Sequence, residues 1–269
     1  MAAVVAGHED LAKAEVLVCD LDGVLYRGNR SIPGAGEALE ALERGGVELL
    51  FVTNNATKTT LEAADTITSR TGYAAAESQV ITSGLAAARW LRAAGVDVVF
   101  AVGEPGMSRT LEREGIALAA EPGEAEAVLV GLDRQITYRR IADAMRAVLG
   151  GATLYATNED ASFPAADGLL PGAGAIVSAV ERATGVTPIV CGKPHEPVRR
   201  LIREYAGERR VAVVGDRPET DLALGLAEGW PTILVLTGVT GAAWEVPDEL
   251  TPTVVAQSIT GVPALLGRR

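Results

Sequence analysis

The sequence predicts an α/β protein built on parallel sheets covered on both faces. Three observations carry that expectation. Apolar runs of strand length alternate with helix-period segments along the chain. Most helical segments stop at a glycine, the usual residue just past a helix end. And 269 residues, 48% hydrophobic and 22% charged, is ordinary globular usage. A chain of this length buries roughly 70–75% of its unfolded surface and is divided as one large domain or two modest ones.

The elements follow in order. Glu15–Cys19 (EVLVC) reads as a buried strand, and Ala35–Arg44 as a helix stopped at Gly45-Gly46. Glu48–Val52 is the next strand. Thr59-Thr60-Leu61-Glu62 is a capping-box pattern, which starts a helix over about 60–71. Val80–Ile81 is a short strand, and Leu85–Ala94 a helix ended by Gly95. The second series runs strand 96–102, helix 107–114, strand 125–131, helix 138–149 and strand 152–157. A long loop through Pro164, Gly168 and Pro171-Gly172 then leads to a helix over about 175–184. The third series runs strand 188–191, helix 197–205, strand 210–215, helix 219–228 and strand 232–237. The tail adds a short strand near Val254 and a short helix over about 259–266.

Composition excludes several classes. The net charge of −11 argues against nucleic acid or an anionic membrane as partner, since both need clustered Lys and Arg. The charges are scattered, as on a solvated surface. No run of eighteen apolar residues exists, so no membrane span is expected. The N-terminal stretch carries His8, Glu9 and Asp10 early and lacks a basic region before a long apolar run, so no signal peptide is read and a cytoplasmic location is expected. The two cysteines, Cys19 and Cys191, read as small buried hydrophobes in a reducing compartment.

Parallel sheets bind ligands beyond the carboxyl ends of their strands, so the residues just after each strand are the candidates. Asp20-Leu21-Asp22-Gly23 follows the first strand. Two carboxylates there repel unless a cation is present, and hard cations such as magnesium take oxygen ligands. The same residues also suit a turn. Thr53-Asn54-Asn55 follows the second strand and offers neutral donors for an anion, or helix caps. Lys193, between Gly192 and Pro194, could neutralise a phosphate or carboxylate, or be an ordinary surface lysine. Asp216, in Gly215–Asp221 (GDRPETD), could complete a metal site with Asp20 and Asp22, or serve with its acidic neighbours at a helix start. Each signal is modest alone. Four polar clusters, each directly after a strand, would converge on one crevice.

Taken together, DLDGVLYRG at Asp20–Gly28, VTNN at Val52–Asn55, GKP at Gly192–Pro194 and GDRPETD at Gly215–Asp221 resemble the haloacid dehalogenase (HAD) superfamily, in its NagD-like, 4-nitrophenylphosphatase-like branch. Further matches are GLD at Gly131–Asp133, TNED at Thr157–Asp160, PGAG at Pro171–Gly174 and LTGVT at Leu236–Thr240. The resemblance implies a Rossmann-like core with a parallel sheet, from residues 1–94 and 189–269, and an inserted α/β cap, residues 95–188, that sets specificity.

It also implies a chemistry. Asp20 is the nucleophile that forms an aspartyl-phosphate. Magnesium is held by the Asp20 side chain, the Asp22 backbone carbonyl and the Asp216 side chain. Asp22 protonates the leaving alkoxide and then activates water. Thr53, Asn54 and Asn55 bind phosphate oxygens, Lys193 offsets phosphoryl charge, and Asp221 orients Lys193 or a metal-bound water. In the cap, Leu132, Asp133, Asn158, Asp160 and Phe163 are the candidate specificity residues. Some relatives that favour an aromatic ester carry an aromatic and a His at these loops, where this chain has Leu132 and Phe163. His195 reads first as a surface or helix-start residue, although it could rim the site.

The expected function is therefore magnesium-dependent hydrolysis of a small phosphomonoester, of glycerol phosphate, phosphoglycolate or sugar phosphate type, with 4-nitrophenyl phosphate as an artificial substrate. A phosphotransferase or phosphomutase of the same superfamily and a catalytically silent metabolite-binding protein are the rival readings. Cap-to-cap dimers occur among relatives, so a homodimer is open to this chain.

Overall fold

The computed structural model describes residues 8–165, 168–240 and 248–268. The opening of the N-terminal stretch, residues 1–7, lies outside them. In chain order the strands are β1 (Val16–Cys19), β2 (Tyr26–Arg27), β3 (Arg30–Ser31), β4 (Glu48–Thr53), β5 (Val80–Thr82), β6 (Val98–Val102), β7 (Ala117–Leu118), β8 (Ala127–Val130), β9 (Thr153–Ala156), β10 (Ser162–Ala165), β11 (Gly168–Pro171), β12 (Ile189–Val190), β13 (Val211–Gly215), β14 (Thr232–Val235) and β15 (Val254–Ala256). Two sheets dominate, ordered β15-β14-β13-β1-β4-β5 and β12-β9-β8-β6-β7. In the first, β1 runs parallel to both β13 and β4, and β14 runs parallel to β13 and β15. The second pairs parallel throughout. The α/β expectation is met.

The described residues divide into two compact units. One draws on the described residues within 1–52, 63–80 and 199–269, the other on those within 53–62 and 81–198. In the first, β1 is buried along its whole length. The helix Ala35–Arg44 buries Ala35, Ala38, Leu39 and Leu42, one face at helical spacing. That helix lies so close to Thr71 that a Cβ on Gly36 would fall 2.1 Å from the Thr71 carbonyl oxygen. In the second, β8 is fully buried, and the helix Tyr138–Leu149 turns Ala144, Ala147 and Val148 inward. The Thr137 hydroxyl caps that helix by accepting the Arg140 N–H at 3.2 Å.

Boundaries follow local chemistry closely. The capping box forms as the pattern requires. The Glu62 carboxylate accepts the Thr59 N–H at 2.8 Å, and the Thr59 hydroxyl accepts the Glu62 N–H at 3.3 Å. The helix that follows spans Thr60–Thr71. Two expectations need correction. The long loop after residue 157 contains an antiparallel hairpin, β10 with β11, in which Phe163 faces Leu170. Its Pro and Gly residues masked the strands, although a two-stranded edge tolerates both. The helix expected over 219–228 opens as a π-helical turn, Pro218–Leu222, before the α-helix Ala223–Glu228. Short elements such as the β2–β3 hairpin, two residues a side, carry too few positions for any periodicity. Among the described residues no helix is long and apolar enough to cross a membrane.

Candidate active site

Adjacent parallel strands deliver the acidic group. Cys19 pairs with Val214 at the carboxyl ends of β1 and β13, so Asp20 and Asp216 leave neighbouring strands near the same edge. Carboxylate oxygens of Asp20, Asp216 and Asp221 lie within 4.8 Å of one another. Asp216 and Asp221 are 1% exposed. The Asp22 side chain is exposed and outside this group, and its backbone bridges to Tyr26.

The surrounding backbone is shaped to the acids. Val239 donates its N–H to Oδ2 of Asp216 at 2.6 Å. A Cβ on Gly238 would fall 1.7 Å from that same oxygen, and one on Gly23 2.4 Å from it. Gly23 also takes φ +95°, a conformation that glycine adopts readily. Oδ2 of Asp221 accepts the N–H groups of Asp216 and Arg217, both at 3.1 Å. These bonds span the wide π-helical turn, Pro218–Leu222, that opens the helix. The Thr237 hydroxyl donates to the Gly23 carbonyl at 2.6 Å, and Arg27 donates to the carbonyls of Thr237 and Gly238. The β2–β3 hairpin is thereby tied to the backbone behind Asp216.

Three carboxylates at this separation repel strongly when ionised. An all-oxygen set fits a hard divalent cation, which would relieve that repulsion. Asp20 and Asp216 could hold one; backbone donors occupy one oxygen of Asp221 and one of Asp216. Burial, and then the charge of Asp22, push the Tyr26 phenol far above its ordinary value, so it stays protonated.

The second cluster is a network of amides around a buried lysine. Asn54 accepts the Lys193 N–H on Oδ1 at 2.7 Å and donates from Nδ2 to the Lys193 carbonyl at 3.3 Å. The Asn54 carbonyl accepts the Ser83 hydroxyl at 2.6 Å and Nδ2 of Asn158 at 2.8 Å. Lys193 is 5% exposed, so it is not an ordinary surface lysine. The Thr53 hydroxyl accepts the Asn55 N–H at 3.1 Å, and Oδ1 of Asn55 accepts both the N–H and the hydroxyl of Thr57. The Asn54 side chain is thus committed to the Lys193 backbone, and Oδ1 of Asn55 to Thr57.

The candidate specificity residues divide as well. Asp133 accepts the Gln135 N–H at 2.9 Å and faces Arg140 at 3.7 Å, which holds its own loop. Asn158 and Asp160 belong to the Asn54 network. Leu132 and Phe163 are half-buried. His195 lies 3.2 Å from a Glu159 carboxylate oxygen. Both cysteines are buried thiols, and burial pushes the Cys191 thiol up to about 12, so it is inert. Sequence reasoning missed Ser83. The signal was present, since Ser83 directly follows β5 and the strand-end rule applies to it too.

Comparison with known proteins bears on all of this. A family model described as haloacid dehalogenase-like hydrolase matches residues 17–117, and a second HAD-like model matches 190–262. A 5'-nucleotidase, YutF, of Bacillus subtilis is 36% identical over 244 residues, covering 90% of this chain and 94% of that one. The solved p-nitrophenyl phosphatase from Archaeoglobus fulgidus superposes with a TM-score of 0.86 at 34% identity, over 94% of this chain and 99% of that one. A glycerol phosphate phosphatase from Mycobacterium tuberculosis, solved in complex with magnesium, superposes with a TM-score of 0.84 at 32% identity. That match covers 94% of this chain and 77% of the other.

Proposed function

This chain belongs to the haloacid dehalogenase-like hydrolases, as a phosphatase of that family, and we propose that it hydrolyses small-metabolite phosphomonoesters with magnesium through an aspartyl-phosphate on Asp20. The substrate class proposed is glycerol phosphate, phosphoglycolate or a sugar phosphate, with 4-nitrophenyl phosphate as an artificial substrate. The observation that carries the reading is the group formed by Asp20, Asp216 and Asp221. The glycerol phosphate phosphatase solved with magnesium supports the choice of ion and of ester.

The proposed reaction has two steps. A carboxylate oxygen of Asp20 bonds to phosphorus while the ester P–O bond breaks, and Asp22 gives its proton to the departing alkoxide. Asp22, now a carboxylate, takes a proton from water. The water oxygen bonds to phosphorus, the acyl-phosphate P–O bond breaks, and free phosphate and the Asp20 carboxylate result. Exposure of Asp22 suits both proton transfers, since it can reach leaving group and solvent. Asp20, Asp216 and the Asp22 carbonyl would hold magnesium, which would supply the charge neutralisation that lets a carboxylate meet an anionic ester. Lys193 offsets charge on the phosphoryl group, and Thr53 and the Asn54-Asn55 stretch bind its oxygens. In this reading 1–94 and 189–269 form the catalytic core and 95–188 the cap, with Leu132 and Phe163 as the apolar contacts for the leaving group.

The test is phosphate release from a panel of phosphomonoesters, with magnesium and with chelator, for wild type and Asp20→Asn side by side. Release that needs magnesium and is lost in the variant is the expected result. Undiminished release by a folded Asp20→Asn protein removes Asp20 as nucleophile. Release that persists in chelator removes the metal.

A further inference from the structure

We propose that Asn158 is a positioning residue for Lys193, acting through Asn54. The inference rests on the reading of Lys193 as the group that offsets phosphoryl charge. It gives Asn158 a different part from the specificity contact that the resemblance implies.

The argument is one of linked constraints. β9 and β12 are parallel neighbours, with Val190 beside Ala156. Their carboxyl ends therefore place Asn158 and Lys193 on one edge of one sheet. Asn158 does not present its amide to an open surface. It is 5% exposed, and its Nδ2 donates to the Asn54 carbonyl at 2.8 Å while its Oδ1 accepts the Asp160 N–H at 3.0 Å. The Ser83 hydroxyl donates to the same Asn54 carbonyl at 2.6 Å. A carbonyl with two donors has both lone-pair directions occupied, which fixes the orientation of that peptide. Fixing it aims the Asn54 side chain. Its amide then grips the Lys193 backbone on both sides, accepting the N–H at 2.7 Å and donating to the carbonyl at 3.3 Å. Asp160 closes the ring with longer contacts, 3.4 and 3.5 Å, to Nδ2 of Asn54.

The packing leaves no slack in this chain of bonds. A Cβ on Gly192 would sit 2.5 Å from Oδ1 of Asn54 and 3.2 Å from the Cβ of Asn158. Buried, connected hydrogen bonds in low dielectric are strong, and losing one member is felt through the rest. The main chain at 193 is therefore held by an amide that is itself held by Asn158 and Ser83, and the lysine reaches its charge from a fixed base.

The experiment compares Asn158→Ala, Ser83→Ala and the double variant with wild type on 4-nitrophenyl phosphate, glycerol phosphate and a sugar phosphate. It also follows hydrogen exchange at the Lys193 amide by NMR. We expect kcat to fall about tenfold on every ester, with KM within about threefold and the order of esters unchanged. The double variant should lose less than the two single losses multiplied, because both donors serve one carbonyl. The Lys193 amide should exchange about tenfold faster. A changed order of esters, or a loss carried by KM, makes Asn158 a specificity residue and overturns the proposal. Unchanged protection of the Lys193 amide in folded variants overturns it too. Ser83→Ala carries the test if Asn158→Ala does not fold. Should wild type release no phosphate from any ester, the phosphatase reading fails separately, and amide exchange still decides the clamp.

Discussion

The two polar clusters obey one placement rule and opposite electrostatics. Both lie at the carboxyl ends of parallel strands. The Asp20, Asp216 and Asp221 group brings like charges within 4.8 Å, an arrangement that folding alone does not favour. Backbone N–H groups offset part of the cost, two on Asp221 and one on Asp216. The rest suits a cation. The Asn54–Lys193 cluster is neutral apart from Asp160 and Lys193, and its amides match donor to acceptor. The first cluster is shaped for something it lacks charge balance without, and the second is shaped to hold one residue still. Substitutions should therefore fail differently in the two.

Gly238→Ala should give the larger loss. Its Cβ would fall 1.7 Å from Oδ2 and 2.2 Å from Cγ of Asp216, so either the loop or the carboxylate must move. A displacement near 1 Å costs on the order of a hundredfold in turnover. We expect a fall of about that size and a higher magnesium concentration for half-activation. A magnesium titration checks it, and an unshifted midpoint would separate Gly238 from the metal.

Gly192→Ala should cost less and leave magnesium activation alone. The added Cβ meets Oδ1 of Asn54 and the Thr157 carbonyl, both at 2.5 Å. The Asn54 side chain can turn away, at the expense of its grip on Lys193, but relief from the main-chain Thr157 carbonyl needs a shift of the backbone at 157 or 192. A loss of about tenfold in kcat with the wild-type magnesium midpoint is expected. A shifted midpoint would show that the two clusters do not fail independently.

Much of this was legible in the residues. The strand-end rule picked out Asp20, Thr53, Lys193 and Asp216, because a strand end exposes polar groups whatever the rest of the fold does. Helix limits such as 35–44 and 138–149 were readable from glycine stops and periodicity. The hairpin Ser162–Pro171 was not, since proline and glycine signal a loop and a paired edge alike. The hydrogen-bond partners of Asn158, Asp160 and Asp133 were hidden for another reason. An asparagine that touches a ligand and one that holds a distant backbone look the same in one dimension, and only the pairing of β9 with β12 brings Asn158 near the lysine loop. Asp221 read as a partner for Lys193 or a metal-bound water, and spacing gave no sign that its Oδ2 also accepts the N–H groups of Asp216 and Arg217.

The smallest expected effect lies at the start of the helix that follows Thr53–Asn55. Glu62 accepts the Thr59 N–H at 2.8 Å and pairs with Arg109 at 2.6 Å. The Thr59 N–H first, and then Arg109, hold its carboxyl below the ordinary carboxylate range. A lowered folded pKa gives stability that is complete above the unfolded value, about 4.3, and is lost as pH falls through the folded value. The side chain is 43% exposed, so solvent screens the ion pair and the capping bond dominates. Glu62→Ala should therefore cost about 1 kcal/mol near neutral pH, with kcat and the magnesium midpoint unmoved. Urea midpoints of wild type and variant should converge as the solution is acidified. A gap that stays constant into acid would assign the effect to packing of the Glu62 stem rather than to its charge.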